Sequence, residues 1–134
     1  MKNVFFFLAL LLSGQAFSQQ AIPNLNGTWK ALSKIETETT AGTVTEEDKE
    51  IYQAGEKTYT FTATTVTISQ KFGKHTETLP LRIQGNQVFM GEPEKHKQPY
   101  VVSVSGSKLI LTKTKQKEKK GKTKVEVEVV TLEK

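Results

Sequence analysis

Leu25-Asn26-Gly27-Thr28-Trp29 decides how the rest of this chain is read. It places a Gly-x-Trp, holding the only Trp of the chain, at the head of a series of short segments with apolar residues at every second position. That period is the mark of half-buried β-strands. A single indole at the start of the first strand of an all-β chain predicts a small barrel closed around it.

Working outward, Trp29, Ala31, Ser33 and Ile35 alternate with Thr28, Lys30, Leu32 and Lys34, which gives the first strand one mostly apolar face. Tyr59, Phe61 and Ala63 alternate with Thr58, Thr60 and Thr62; Val66, Ile68, Gln70 and Phe72 alternate with Thr65, Thr67, Ser69 and Lys71. Leu79, Leu81 and Ile83 point opposite to Thr78, Pro80 and Arg82. Turn residues separate the runs: Gly73-Lys74, Gly85-Asn86, Gly106 and Gly121. Gly85-Asn86 suits a two-residue hairpin because both residues tolerate positive φ. Pro80 has no N–H to donate and belongs at an edge, a bulge or an unpaired position. The pattern predicts eight strands, near 28–37, 57–63, 65–72, 76–84, 87–91, 99–104, 108–115 and 124–133, with a ninth left open around 43–52. Glu46–Gln53 is the one weak helical pattern. Short turns favour a meander, and closure removes the unpaired edges of such a sheet. The expected fold is therefore all-β, an antiparallel up-and-down barrel of about eight strands.

Ahead of this lies a segment that reads as an address. Lys2 precedes the apolar run Val4–Leu12, and Ala16-Phe17-Ser18 supplies the small-x-small pattern of a cleavage site. The run falls short of the roughly 20 apolar residues needed to span a bilayer. Residues 1–18 are expected to be a signal peptide and 19–134 a single barrel domain, exported to the periplasm or the extracellular space. The chain has no cysteine, so neither a disulfide nor a lipid-bearing Cys can stabilise or anchor it.

With Gly27-Thr28-Trp29 opening strand one, the chain resembles the lipocalin-like (calycin) superfamily, most closely its small exported bacterial domains. Thr58–Ala63 and Lys108–Thr112 are strand phrases similar to those of that group. The resemblance implies a structural plug in which Gly27 and Trp29 close one end of the barrel under a cation from the last strand. The last strand has no Arg, so Lys134 or Lys124 must take that place.

Chemistry-bearing groups are few. His75 and His96 have no partner at a metal-ligand offset, no phosphate loop is present, and no nucleophile stands beside a base. No catalytic residue, metal or cofactor is therefore assigned, and the protein is read as a non-enzyme. Net charge is +5. The basic excess gathers near the last turn, where Lys117, Lys119, Lys120 and Lys122 form a basic hairpin, while Glu46, Glu47, Asp48 and Glu50 form an acidic run. The lysines lack the interleaved aromatics that stack on bases, which argues against nucleic acid. An anionic surface or a protein remains a possible partner for them.

Two functions follow from this reading. The first is an exported monomeric barrel that binds a small apolar or amphipathic ligand in a cavity lined by Tyr59, Phe61, Ile68, Phe72, Leu81, Ile83, Met90, Tyr100 and Val102. The second is a packed barrel that meets a partner through its Lys-rich hairpin.

Overall fold

A computed structural model describes residues 23–92 and 98–134. The expected signal peptide and His96 lie outside the described residues. Nine strands follow in order: β1 (Gly27–Thr40), β2 (Thr43–Ile51), β3 (Thr58–Phe61), β4 (Thr65–Gln70), β5 (His75–Gln84), β6 (Gln87–Met90), β7 (Tyr100–Ser105), β8 (Lys108–Lys119) and β9 (Lys122–Glu133). The ninth strand left open around 43–52 is β2, and it takes in most of the weak helical pattern at Glu46–Gln53. Pairing along the length of β1 overrides the local propensity of its charged residues.

β1 and β3 through β9 close into an eight-stranded antiparallel barrel, each strand beside its chain neighbour and β9 returning to β1. β2 stands outside this ring and pairs only with β1 among the described residues. β1 is long enough to serve two neighbours on one edge. Gly27–Lys30 pairs with β3, and Ser33–Thr40 pairs with β2. Strands β1, β2, β8 and β9 thus rise past the short strands of the opposite wall, making one tall wall and one low one.

The lower part is packed shut. Trp29, Ala31, Tyr59, Phe61, Val66, Leu81, Val88, Val102, Leu109, Leu111, Val130 and Leu132 are buried together, as the interior width of an eight-stranded barrel allows. Threonines face outward and pair across strands, Thr28 with Thr60 and Thr67 with Thr78, each with hydroxyl oxygens 3.0 Å apart.

The bottom is sealed by the Gly-x-Trp. Trp29 Nε1 donates to the Leu25 carbonyl at 2.8 Å, which folds the incoming chain, with buried Leu25, across the barrel's end. Lys134 Nζ lies 5.2 Å from the centre of the indole, a distance at which the ring's negative face attracts a cation. Gly27 makes room for it. Its φ is +116°, and a Cβ there would stand 3.3 Å from Lys134 Cε. Lys124 sits at the other end of β9, 3.0 Å from Glu38 and 3.7 Å from Glu126.

A bulge changes what the tall wall presents. Ala31 pairs with Leu132 and Ser33 with Thr131, which leaves Leu32 as the extra residue. The expected single face of Trp29, Ala31, Ser33 and Ile35 is therefore broken after Ala31. Ser33 and Ile35 share a side with Thr131 and Val129, facing out, while Lys34, Glu36 and Glu38 share one with Val130, Glu128 and Glu126, facing in.

Candidate functional site

Above the apolar floor, the inward positions of the tall wall are charged, and Tyr52 and Tyr100 stand at the barrel mouth over Tyr59 of the floor. Lys34 and Glu36 come from β1, Glu50 from β2, Lys113 from β8 and Glu128 from β9, all placed by the period-two alternation of their strands. Tyr52 follows β2, Lys57 and Tyr59 lead into and occupy β3, and Tyr100 opens β7.

The mouth is held by mixed contacts. Tyr52 Oη donates to Glu50 Oε2 at 2.7 Å, and Tyr100 Oη donates to Glu128 Oε2. Lys34 Nζ stands 2.9 Å from Glu36 and 3.8 Å from Glu128. Burial, with the neighbouring carboxylates, pushes the Tyr52 and Tyr100 phenols well above the ordinary tyrosine range. Tyr59 is raised by burial first and by the Glu128 charge second. For Lys34, burial pulls the ammonium down, but its hydrogen bond to Glu36 and the charges of Glu128, Glu36 and Glu50 outweigh this and raise it.

Lys57 differs from Lys34. It is only 8% exposed, the one buried charged residue among those described. Its Nζ lies 5.2 Å from the Tyr52 ring centre and 5.6 Å from that of Tyr59. Among the described residues no carboxylate stands within 4.0 Å of it. Burial pulls its pKa down and the Lys34 charge adds to this, only partly countered by Glu50, Glu128 and Glu36. A buried ammonium on two aromatic faces, with no anion beside it, can accept an anionic group from outside. Lys113 repeats the motif in a more exposed position, 4.9 Å from the Tyr100 ring centre.

Higher on the tall wall the same face forms a groove of about 350 Å³, lined by Glu36, Glu38, Glu46, Asp48, Lys113, Lys115, Glu126 and Glu128. Glu46 and Asp48 of the acidic run therefore line one surface with Lys113 and Lys115 of β8, below the basic hairpin. Of that hairpin, Lys117, Lys120 and Lys122 are exposed at the β8–β9 tip, where Lys119 pairs through its backbone with Lys122.

The cavity-lining set expected from alternation divides by height. Tyr59, Phe61, Leu81 and Val102 belong to the packed floor. Ile68, Met90 and Tyr100 are half-buried and pack on that floor as a collar. Two residues are corrected. Phe72 is 62% exposed because Lys71, Phe72 and Gly73 all adopt positive φ, which ends β4 at Gln70 and turns the ring to solvent. Ile83 shares the side of its buried partner Val88 but is 42% exposed, because β5 ends beside it in the Gly85 turn.

Lys57, Tyr52, Lys34 and Glu128 were missed by the sequence reading. Lys57 was legible, since Lys57-Thr58-Tyr59-Thr60-Phe61 puts it two residues before Tyr59 on the same side of the strand. Lys34 was not, because the Leu32 bulge inverts its side. Compared by sequence with models of known families and with curated proteins, the chain matches none.

Proposed function

We propose that this is an exported, non-enzymatic lipocalin-like barrel that binds a small amphipathic molecule carrying one anionic headgroup at its open end. The apolar body rests on the collar of Ile68, Leu79, Met90 and Tyr100, and the headgroup reaches Lys57, with Lys113 at the outer side. Lys57 carries the proposal: it is buried, stacked on Tyr52 and Tyr59, and without a carboxylate within 4.0 Å among the described residues. The barrel is compatible with this role, and the Gly27–Trp29–Lys134 closure leaves the opposite end as the way in.

The test is a fluorescent long-chain carboxylate titrated against the protein, beside its methyl ester. The acid is expected to bind at least tenfold more tightly, about 1.4 kcal/mol, and Lys57→Met to erase that preference while the melt stays cooperative. Binding no stronger than to a control protein, or equal binding of acid and ester, overturns the reading.

A further inference from the structure

The tall wall ends in two unpaired sheet edges of opposite charge. One is β2, exposed over its whole length and paired, among the described residues, on one side only. Its Thr43–Ile51 sequence carries Glu46, Glu47, Asp48 and Glu50 against Lys49. The other is the upper half of β8. β7 covers β8 only from Lys108 to Thr112, so the backbone from Lys113 onward pairs with β9 alone among the described residues. That half carries Lys113, Lys115 and Lys117 at alternate positions.

Unpaired edges present rows of backbone donors and acceptors and are templates for strand addition. Here the side chains restrict which edge can meet which. Two β2 edges would set carboxylates opposite carboxylates, and two β8 edges lysines opposite lysines; both arrangements are disfavoured. A β2 edge against a β8 edge sets opposite charges in register. β2 and β9 run down the barrel, whereas β1 and β8 run up it. Two copies in the same orientation, side by side, therefore bring β2 of one antiparallel to β8 of the next.

We infer that this chain associates with further copies of itself head to tail, β2 of one protomer adding to the upper half of β8 in the next. Glu46, Asp48 and Glu50 then face Lys117, Lys115 and Lys113. All six lie on the inner face of their strands, as the pairings of Asp48 with Glu36 and of Lys113 with Glu128 require. The charged inner face thus continues from one copy into the next. Each copy uses two different edges, so the contact is heterologous: it closes into a ring if the rotation per copy permits and otherwise runs on as a filament.

The interaction shares Lys113 with the proposed ligand site, but its test alters neither Lys113 nor Lys57 and does not depend on any ligand. Sedimentation of the purified protein at low salt is expected to show a weight-average mass that rises with concentration and passes two copies. The rise should fade at about 1 M NaCl, where the screening length falls to about 3 Å. Glu46→Lys with Asp48→Lys makes both edges basic, and Lys115→Glu with Lys117→Glu makes both acidic. Either double variant alone is expected to stay a single copy, and an equimolar mixture of the two to assemble again. The four-fold variant, with both edges exchanged, is expected to assemble alone. A wild-type protein that remains single at millimolar concentration in low salt, a plateau at two copies, or variants that assemble like the wild type would overturn the inference. So would a mixture that fails to assemble although both variants melt like the wild type.

Discussion

Below the bulge at Leu32, β1, β8 and β9 turn Ala31, Leu109 and Leu132 inward, Leu111 and Val130 follow just past it, and all five are buried. Above it the same three strands turn Lys34, Glu36, Glu38, Lys113, Lys115, Glu126 and Glu128 to the same side. β8 and β9 pair without a break across both regions, and β1 resumes its pairing with β9 after the bulge, so a loss of pairing does not separate them. What separates them is the opposite wall. The lower stretch faces the short strands β3 to β7 and loses water, whereas the upper stretch faces the open mouth. A strand's inner face is apolar only for as long as something stands across from it. Where the low wall ends, the sequence changes from Leu and Val to alternating Lys and Glu.

The lower region should hold nearly all of the stability. Phe61 is 1% exposed at the centre of the floor. Phe61→Ala is expected to cost about 3–5 kcal/mol, the range for a buried ring removed without collapse of its site. Val127→Ala, on the open side of the tall wall, should cost well under half as much. Denaturant unfolding of the two variants tests the contrast, which breaks if the costs are alike.

Next in size is the seal. Gly27→Ala asks an L-residue to adopt φ of +116° and sets its methyl group 3.3 Å from Lys134 Cε. A cost of about 1–3 kcal/mol follows from the backbone strain, with part of the effect read as a change in Trp29 fluorescence as Lys134 is displaced. A variant with unchanged melt and emission would show that Lys134 does not depend on the glycine.

Lys57 lies where the two regions meet, and its sign is opposite. Its pKa in the folded chain is lowered from 10.5, first by burial and then by Lys34. The folded state therefore releases this proton at a lower pH than the unfolded chain does. Between those two pH values the unfolded chain binds more protons, so stability rises with pH through that window. Below it the buried charge costs stability throughout. Lys57→Met is expected to stabilise the protein at neutral pH by about 1 kcal/mol, because an apolar side chain replaces a buried ammonium. The advantage should shrink as pH rises toward 10.5. Urea melts across that range would sharpen the comparison; a Met variant less stable at neutral pH would mean that the two cation–π contacts outweigh the burial.

The lower region was far more legible than the upper one. Alternation around Tyr59-Thr60-Phe61 and Leu109-Ile110-Leu111 reports directly which residues lose water, and the Gly turns report where strands end. The meander and its closed barrel follow from those two signals. The charged mouth depends on things that alternation does not encode. The Leu32 bulge inverts the faces of β1, and nothing in Ala31-Leu32-Ser33 distinguishes a bulge from a regular strand. That β2 is a strand follows from the length of β1 rather than from Glu46-Glu47-Asp48, whose own preference is for solvent. Phe72 was misplaced because three successive positive φ values interrupt a pattern that the letters alone continue.

The smallest effect belongs to the tips. β1 turns into β2 through Ala41 and Gly42, at φ of 52° and 82°, and β8 into β9 through Lys120 and Gly121, at 55° and 74°. Both central residues of each turn are left-handed, the hairpin geometry that prefers Asn at the first position. Ala41 therefore holds a conformation that an L-residue reaches at some cost, and its strand partner β2 is exposed throughout. Ala41→Asn should relieve that strain by about 0.5–1 kcal/mol within the hairpin. Global stability is expected to move by less than this, because an exposed hairpin can open while the floor remains packed. Hydrogen exchange separates the two quantities: amides of Thr39 to Val44 should slow, while those of Phe61 and Leu111 stay the same. Equal slowing in both places would mean that tip and floor unfold as one unit, and the division drawn at Leu32 would then be one of composition without being one of stability.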